Sequence, residues 1–220
     1  MISARRPAGR PVGRPIEDLP GDPRSLSLEY HLSHAVGGAD GDTLFDWTVS
    51  IRAKRFKGRT VGGVIGSMTL FRLRLDDRFG PHPFEAAETH GAELSGQVLG
   101  IYDLGHGGYR QAFRDTMTRP DGDLLVLHHI ELDPAWRGFG LGPILASEAI
   151  WTLVDGCGAV VVDPKGESDT ARWESVGFRR RVRPLGHLLD PGSPEALALW
   201  KERRADFGAL AESYLAALRG

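Results

Sequence analysis

The residues best placed to do chemistry lie between positions 124 and 154. An apolar run, Leu124-Leu125-Val126-Leu127-His128-His129-Ile130-Glu131-Leu132, passes through Asp133-Pro134 into Arg137-Gly138-Phe139-Gly140-Leu141-Gly142 and then into a long apolar stretch. A strand that ends in a glycine-spaced turn and opens a helix makes an anion site. The first N–H groups of a helix have no partner within it and point at whatever lies beyond, and glycines let a phosphate reach the backbone. Pro143 suits the start of such a helix, where a missing N–H costs little. Two nucleotide loops with similar glycines do not fit. A Walker loop ends in Gly-Lys-Ser or Gly-Lys-Thr, whereas Gly142 is followed by Pro143 and Ile144. A Rossmann fingerprint opens the first helix of a βαβ unit, and this loop lies far down the chain. A tight turn without a ligand is the remaining plain alternative.

The pattern Arg137-x-x-Gly140-x-Gly142 resembles the pyrophosphate loop of the GNAT acetyltransferase superfamily. A second match lies downstream: Arg172-Trp173-Glu174-Ser175-Val176-Gly177-Phe178 is similar to the helix-to-strand segment that the family writes as Phe-Tyr-Glu-Lys-Leu-Gly-Phe. The resemblance covers residues 124–183, and residues 45–75 as a strand hairpin. It implies an α/β (α+β mixed) fold of the GNAT type, a central, mostly antiparallel sheet with splayed strands flanked by helices. It also implies acetyl-CoA as acyl-donor cosubstrate, no metal, and transfer to a primary amine by direct attack. The coenzyme would be held by backbone groups of Ile130 and Leu132, by the loop Arg137, Gly138, Phe139, Gly140, Leu141 and Gly142, and by Trp173 walling the thioester pocket.

Acetyl transfer needs a polarised acyl carbonyl, a base for the attacking ammonium and a proton for the leaving thiolate. Family glutamates that serve as the base fall eleven residues before the loop's arginine, which is Val126 here. His128, two residues on and on the same strand face, is the leading candidate; an imidazole titrates near pH 6.5 and suits proton relay. A packed or surface histidine without a role in transfer would give the same sequence. His129 points to the opposite face of a regular strand. Glu131 is the rival base, on the wrong face unless a bulge turns it toward the cleft. The tyrosine that protonates the coenzyme sulfur in the family aligns with Trp173, whose indole N–H is no proton source. Trp173 as a core aromatic is equally compatible with the pattern.

At 220 residues and 41% hydrophobic, the chain can bury one substantial core. A net charge of -2 and a pI near 6.4 give no global drive toward nucleic acid or membrane. The single cysteine, Cys157, excludes an internal disulfide and a cysteine zinc cluster; it reads as a small buried residue and fits a reducing cytosol. No apolar run approaches a bilayer span and the N-terminus lacks a secretory core, which predicts a cytoplasmic location.

Around the loop, the pattern divides the chain into three parts. Residues 1–24, with Arg5, Arg6, Arg10 and Arg14 among prolines, read as a flexible tail, solvated rather than bound to RNA. Residues 25–190 would form the acyltransferase domain that the resemblance implies, with an insertion at 76–120 that shapes the acceptor pocket, decorates the surface or makes an oligomer contact. Residues 191–220 read as one or two helices packed on the body or on a partner chain. Alternation predicts strands at 25–36, 45–55, 60–75 and 159–163, and helices near 84–89, 109–117 and 141–154. Residues 105–108, Gly-His-Gly-Gly, read as a mobile loop. Arg52, Lys54, Arg72 and Arg74 would share a basic sheet face opposite a buried one, solvated or facing phosphate.

The reading that follows is an N-acetyltransferase, with two rivals: a non-catalytic acyl-CoA-binding or interaction module, and an RNA-directed acyltransferase using the basic tail and sheet face. Nucleic acid and membrane are disfavoured as partners and a homodimer is allowed. Small metabolites, antibiotics, protein N-termini, lysines and aminoacyl-tRNA all remain open as acceptors.

Overall fold

A computed structural model of the chain describes residues 13–33, 43–54, 63–75, 82–180 and 186–219. The strands are β1 (Leu26–Ser33), β2 (Leu44–Ala53), β3 (Gly63–Leu73), β4 (Asp123–Leu132), β5 (Cys157–Val162), β6 (Arg179–Arg180) and β7 (His187–Leu189). The helices are α1 (Pro83–Glu88), α2 (Ala92–Ile101), α3 (Gln111–Arg114), α4 (Leu141–Leu153), α5 (Glu167–Glu174) and α6 (Pro194–Ala217). The strands form one sheet in the order β1-β2-β3-β4-β5-β7-β6. Its ladders are antiparallel except for β4 with β5, which run parallel through the α4 crossover. The fold is therefore mixed α/β with a mostly antiparallel central sheet.

Both faces of the sheet are covered. One core joins Val49, Ile51, Leu70, Leu125 and Leu127 to Leu141, Leu145 and Ala149 of α4 and Tyr214 of α6. The other joins Phe71, Leu73, Leu124 and Val126 to Ala87 of α1, Leu94 and Val98 of α2 and Phe113 of α3. β5, and β4 from Leu124 to Leu127, are buried on both sides, which is why these stretches read as unbroken apolar runs rather than alternating ones. This corrects the expected basic face. Phe71 and Leu73 face a second core, while Arg52 pairs with Glu29, Arg72 with Asp123 at 2.7 Å, and Arg74 lies over the Phe45 ring.

The expected flexible tail is corrected in its second half. Residues 1–12, with Arg5, Arg6 and Arg10, lie outside the described residues, but residues 13–24 are packed. Two short 3-10 turns, Ile16–Asp18 and Pro23–Ser25, bracket Leu19, which is 2% exposed in the α4 core, and Gly21 lies against the Trp136 ring. Asp22 caps the second turn through the Arg24 N–H and pairs with the Arg24 guanidinium, which holds its carboxyl below the ordinary range. α2 is a helix that the periodicity did not predict, and α6 is one continuous helix. In the glycine-rich stretch before α3, Tyr102 and Tyr109 form an isolated bridge.

Candidate functional site

β4 pairs with β3 as far as Leu132 but with β5 only as far as Leu127, opposite Val162. From His128 to Leu132 the edge of β4 toward β5 has no strand partner among the described residues, so the sheet opens there. At the same point β4 is irregular. Thr69 faces His129 and Leu70 faces Leu127, which leaves His128 as an extra residue. A single added residue reverses the alternation of everything after it. Leu125 and Leu127 face the α4 core before the bulge, and Ile130 and Leu132 face it afterwards.

The bulge places the expected bases anew. His128 lies edge-on to Phe71 at 5.5 Å, toward the α1–α2 side of the sheet, and its Nδ1 is buried without a partner. His129, expected on the opposite face, is turned to the same side, where its Nε2 lies 3.7 Å from a Glu131 carboxylate oxygen. Glu131 is likewise turned, but its carboxylate is engaged by the Arg137 guanidinium at 2.8 Å. Val126 is fully buried, so the position that family members give to a glutamate is a core position here.

The loop that follows has its side chains rooted in the core and its backbone outside. Trp136, Phe139 and Leu141 are buried, while Gly138 and Gly140 are exposed. Gly140 caps α4 with φ 76°, a left-handed conformation that suits glycine. No side chain caps this helix and no acid lies in its first turn, so its leading N–H groups and positive dipole end face outward. A Cβ at Gly140 or Gly142 would meet nothing within 4 Å. Gly142 thus has no internal reason to lack a side chain; open space in front of two backbone N–H groups is what an anion needs. Arg137 is held by its Nε donating to the Leu132 carbonyl at 2.6 Å.

Two neighbours of this site gave no signal in the sequence. Arg14 reaches the loop: its backbone N–H donates to the Gly138 carbonyl, its guanidinium donates to the carbonyls of Pro134 and Ala135, and it lies 5.2 Å over the Phe139 ring. Past the end of β5, Lys165 pairs with Glu93 of α2 at 2.6 Å. These partners stand 72 residues apart in the chain, beyond any local pattern.

Trp173 takes the second of its two expected places, that of a core aromatic. Its ring is 2% exposed and packs edge-on against Phe178 in the α4 core, so it does not wall an open pocket. Cys157 is buried and its thiol is pushed up to about 12, first by burial, which makes it inert as a nucleophile. Among the described residues no cluster of His, Cys, Asp and Glu could hold a metal ion, and no helix is long and apolar enough to cross a membrane. A cavity of about 680 Å³ lies elsewhere, between Thr118, Glu174, Arg179, Asp190 and Glu195, at the other end of β5. Three of its charged groups are engaged: Asp190 accepts from Thr118 and from the Gly192 N–H, and Arg179 faces Glu195 at 3.8 Å.

No family model matches the chain, and no curated protein matches it. Among solved structures, the chain is similar to the KacTA–DNA complex at 15% identity, covering 80% of this chain and 99% of that one with a TM-score of 0.42. It is similar to AtaTR bound with AcCoA at 13% identity, covering 80% and 99% with a TM-score of 0.44. It is also similar to AtaT complexed with acetyl-methionyl-tRNAfMet at 14% identity, covering 79% and 99% with a TM-score of 0.41. The likeness is distant.

Proposed function

We propose that this chain is an acetyl-CoA-dependent N-acyltransferase that moves an acetyl or related acyl group to a primary amine by direct attack. One observation supports it most: the sheet opens between β4 and β5 at His128, and the helix that follows β4 presents an uncapped N-terminus with open space before Gly140 and Gly142. A long thioester ending in a pyrophosphate matches both features at once. The phosphates would sit on the N–H groups of Leu141 and Gly142, with Arg137 turning from Glu131 to meet them. The unpaired edge of β4 would offer backbone groups of Ile130 and Leu132 to the pantetheine arm and the acyl carbonyl. Gly138 gives the loop its turn, and the side chains of Phe139 and Leu141 anchor it in the core.

His128 takes the proton of the attacking ammonium in this reading, directly or through water. Glu131 is the alternative base, available once Arg137 has moved to phosphate. No donor for the leaving sulfur is assigned: Trp173 is buried, and a free thiol with a pKa near 8.5 already leaves moderately well. The rival reading, an acyl-CoA-binding module without turnover, is favoured by the absence of a free carboxylate on β4, since Val126 is apolar and Glu131 is paired.

The test is calorimetric titration with acetyl-CoA of the wild type and Gly140→Glu, followed by thiol release with an amine panel. Binding lost in Gly140→Glu, with thiol release reduced in His128→Ala while binding persists, supports the transferase. Binding without release across the panel favours the module, and no binding by folded wild type sinks both.

A further inference from the structure

We propose that Glu93 is the carboxylate that receives the acceptor's ammonium group, and that Lys165 occupies that place in the free protein. The inference rests on the acyltransferase reading and names what its acceptor side recognises: a primary alkylammonium. Lys165 stands just past the end of β5, and Glu93 stands at the start of α2, which packs on the sheet face that His128 is turned to. Lys165 follows β5 by three residues, just past Val162, the last residue that β4 pairs with. Its backbone N–H is fixed by the Asp169 carboxylate at 3.0 Å, so the side chain is directed from a set position, with Asp163 3.4 Å from the ammonium. Glu93 lies in the first turn of α2.

Geometry brings α2's start toward His128 independently of any charge. The Phe71 ring has His128 edge-on at 5.5 Å and His90, three residues before Glu93, edge-on at 5.4 Å. The Glu93 carboxyl is held below its ordinary range first by the hydrogen bond from Lys165, with His128 and His129 adding to the same effect. The Glu93 carboxylate is therefore within electrostatic reach of the candidate base. An ion pair this exposed, 68% at Lys165 and 47% at Glu93, is weakly held and easily opened by a competing cation. The exchange of one ammonium for another conserves charge. Glu93 captures the protonated amine that dominates at neutral pH, and the imidazole of His128 takes the proton as the nitrogen turns toward the acyl carbon.

The probe is butylamine, with butanol as a neutral match in length, titrated into the full chain while the imidazole signals of His128 and His129 are followed by NMR. Expected is saturable binding of butylammonium and none of butanol. Lys165→Met should tighten it about two- to fivefold, the span of an exposed pair. Lys165→Arg should restore wild-type affinity, and Glu93→Gln should reduce butylammonium to the level of butanol. If Lys165→Met leaves affinity unchanged or weakens it, or if Glu93→Gln binds like wild type, the proposal is overturned. Acetyl-CoA titration of the same samples separates the two readings: its failure removes the coenzyme site, whereas a failed amine titration with intact coenzyme binding removes only the Glu93 assignment.

Discussion

Gly142 stands in the first turn of α4, where glycine is unfavourable by up to about 1 kcal/mol relative to alanine. Nothing lies within 4 Å of the position its Cβ would take, so packing does not explain it. Gly142→Ala should then move two observables in opposite directions. Thermal stability should hold or rise by a few tenths to about 1 kcal/mol, while acetyl-CoA affinity falls as the methyl group stands where a phosphate approaches. Equal affinity in calorimetry would remove the loop from the site. Cys157 gives a prediction of pH dependence. Burial raises its thiol from 9.0 to about 12, so the folded state disfavours the thiolate that the unfolded chain forms more readily. Its contribution to stability is full below pH 9 and is lost as the pH climbs from there toward 12. Denaturant melts between pH 8 and 11 should show this decline, and Cys157→Ala should flatten it at a cost of about 1 kcal/mol near neutrality. A thiol reagent at pH 8 should label the folded wild type far more slowly than the unfolded chain.

At the scale of elements, the opening depends on how closely β3 approaches the end of β4. Gly66 faces Leu132, and a Cβ there would fall 2.4 Å from the Glu131 carbonyl oxygen and 2.9 Å from the Leu132 side chain. Both atoms belong to the stretch of β4 that has lost β5 beside it, so Gly66→Ala must displace it. The expected cost is about 1–3 kcal/mol, with acetyl-CoA affinity and thiol release falling together; melting curves and calorimetry measure both. The loop and α4 were legible in the sequence because a glycine-spaced turn between two apolar runs is a local pattern. The bulge was not legible. In Leu124 to Leu132 both faces are apolar up to Leu127, so the reversal at His128 leaves no break in alternation, and it was this reversal that brought His129 round to the side of His128. α2 was hidden for a related reason: Gly91, Gly96 and Gly100 interrupt a short sequence whose apolar residues Leu94, Val98 and Ile101 are fixed by the second core. Trp173 shows the limit of a motif, since a matching position carried an aromatic whose packing against Phe178 is structural.

For the molecule as a whole, the α4 face is sealed from two ends of the chain. The C-terminal helix α6 lies across α4, with Trp200 stacked on Trp151 at 5.0 Å, its Nε1 donating to Glu148, and Arg204 over its ring. The N-terminal segment closes the same face beside the loop, where Leu19 is buried, Gly21 touches Trp136 and Arg14 is tied to Gly138. Trp136 sits between Asp133 and Arg137, so the packing that holds the segment also backs the turn into the candidate phosphate site. Leu19→Ala should cost about 2–5 kcal/mol, the range for a buried leucine left as a cavity, which in a chain of this size lowers Tm by roughly 4–20 °C. Measured well below the melt, the same variant should bind acetyl-CoA more weakly, because loosening residues 13–24 frees Arg14 from the loop. Leu218→Ala is the control: its side chain is 51% exposed at the end of α6, so stability should shift by no more than about 0.5 kcal/mol and affinity not at all. If Leu19→Ala destabilises the fold yet leaves affinity unchanged at a temperature where the protein is fully folded, the N-terminal segment supports the core alone and the loop holds its shape without it.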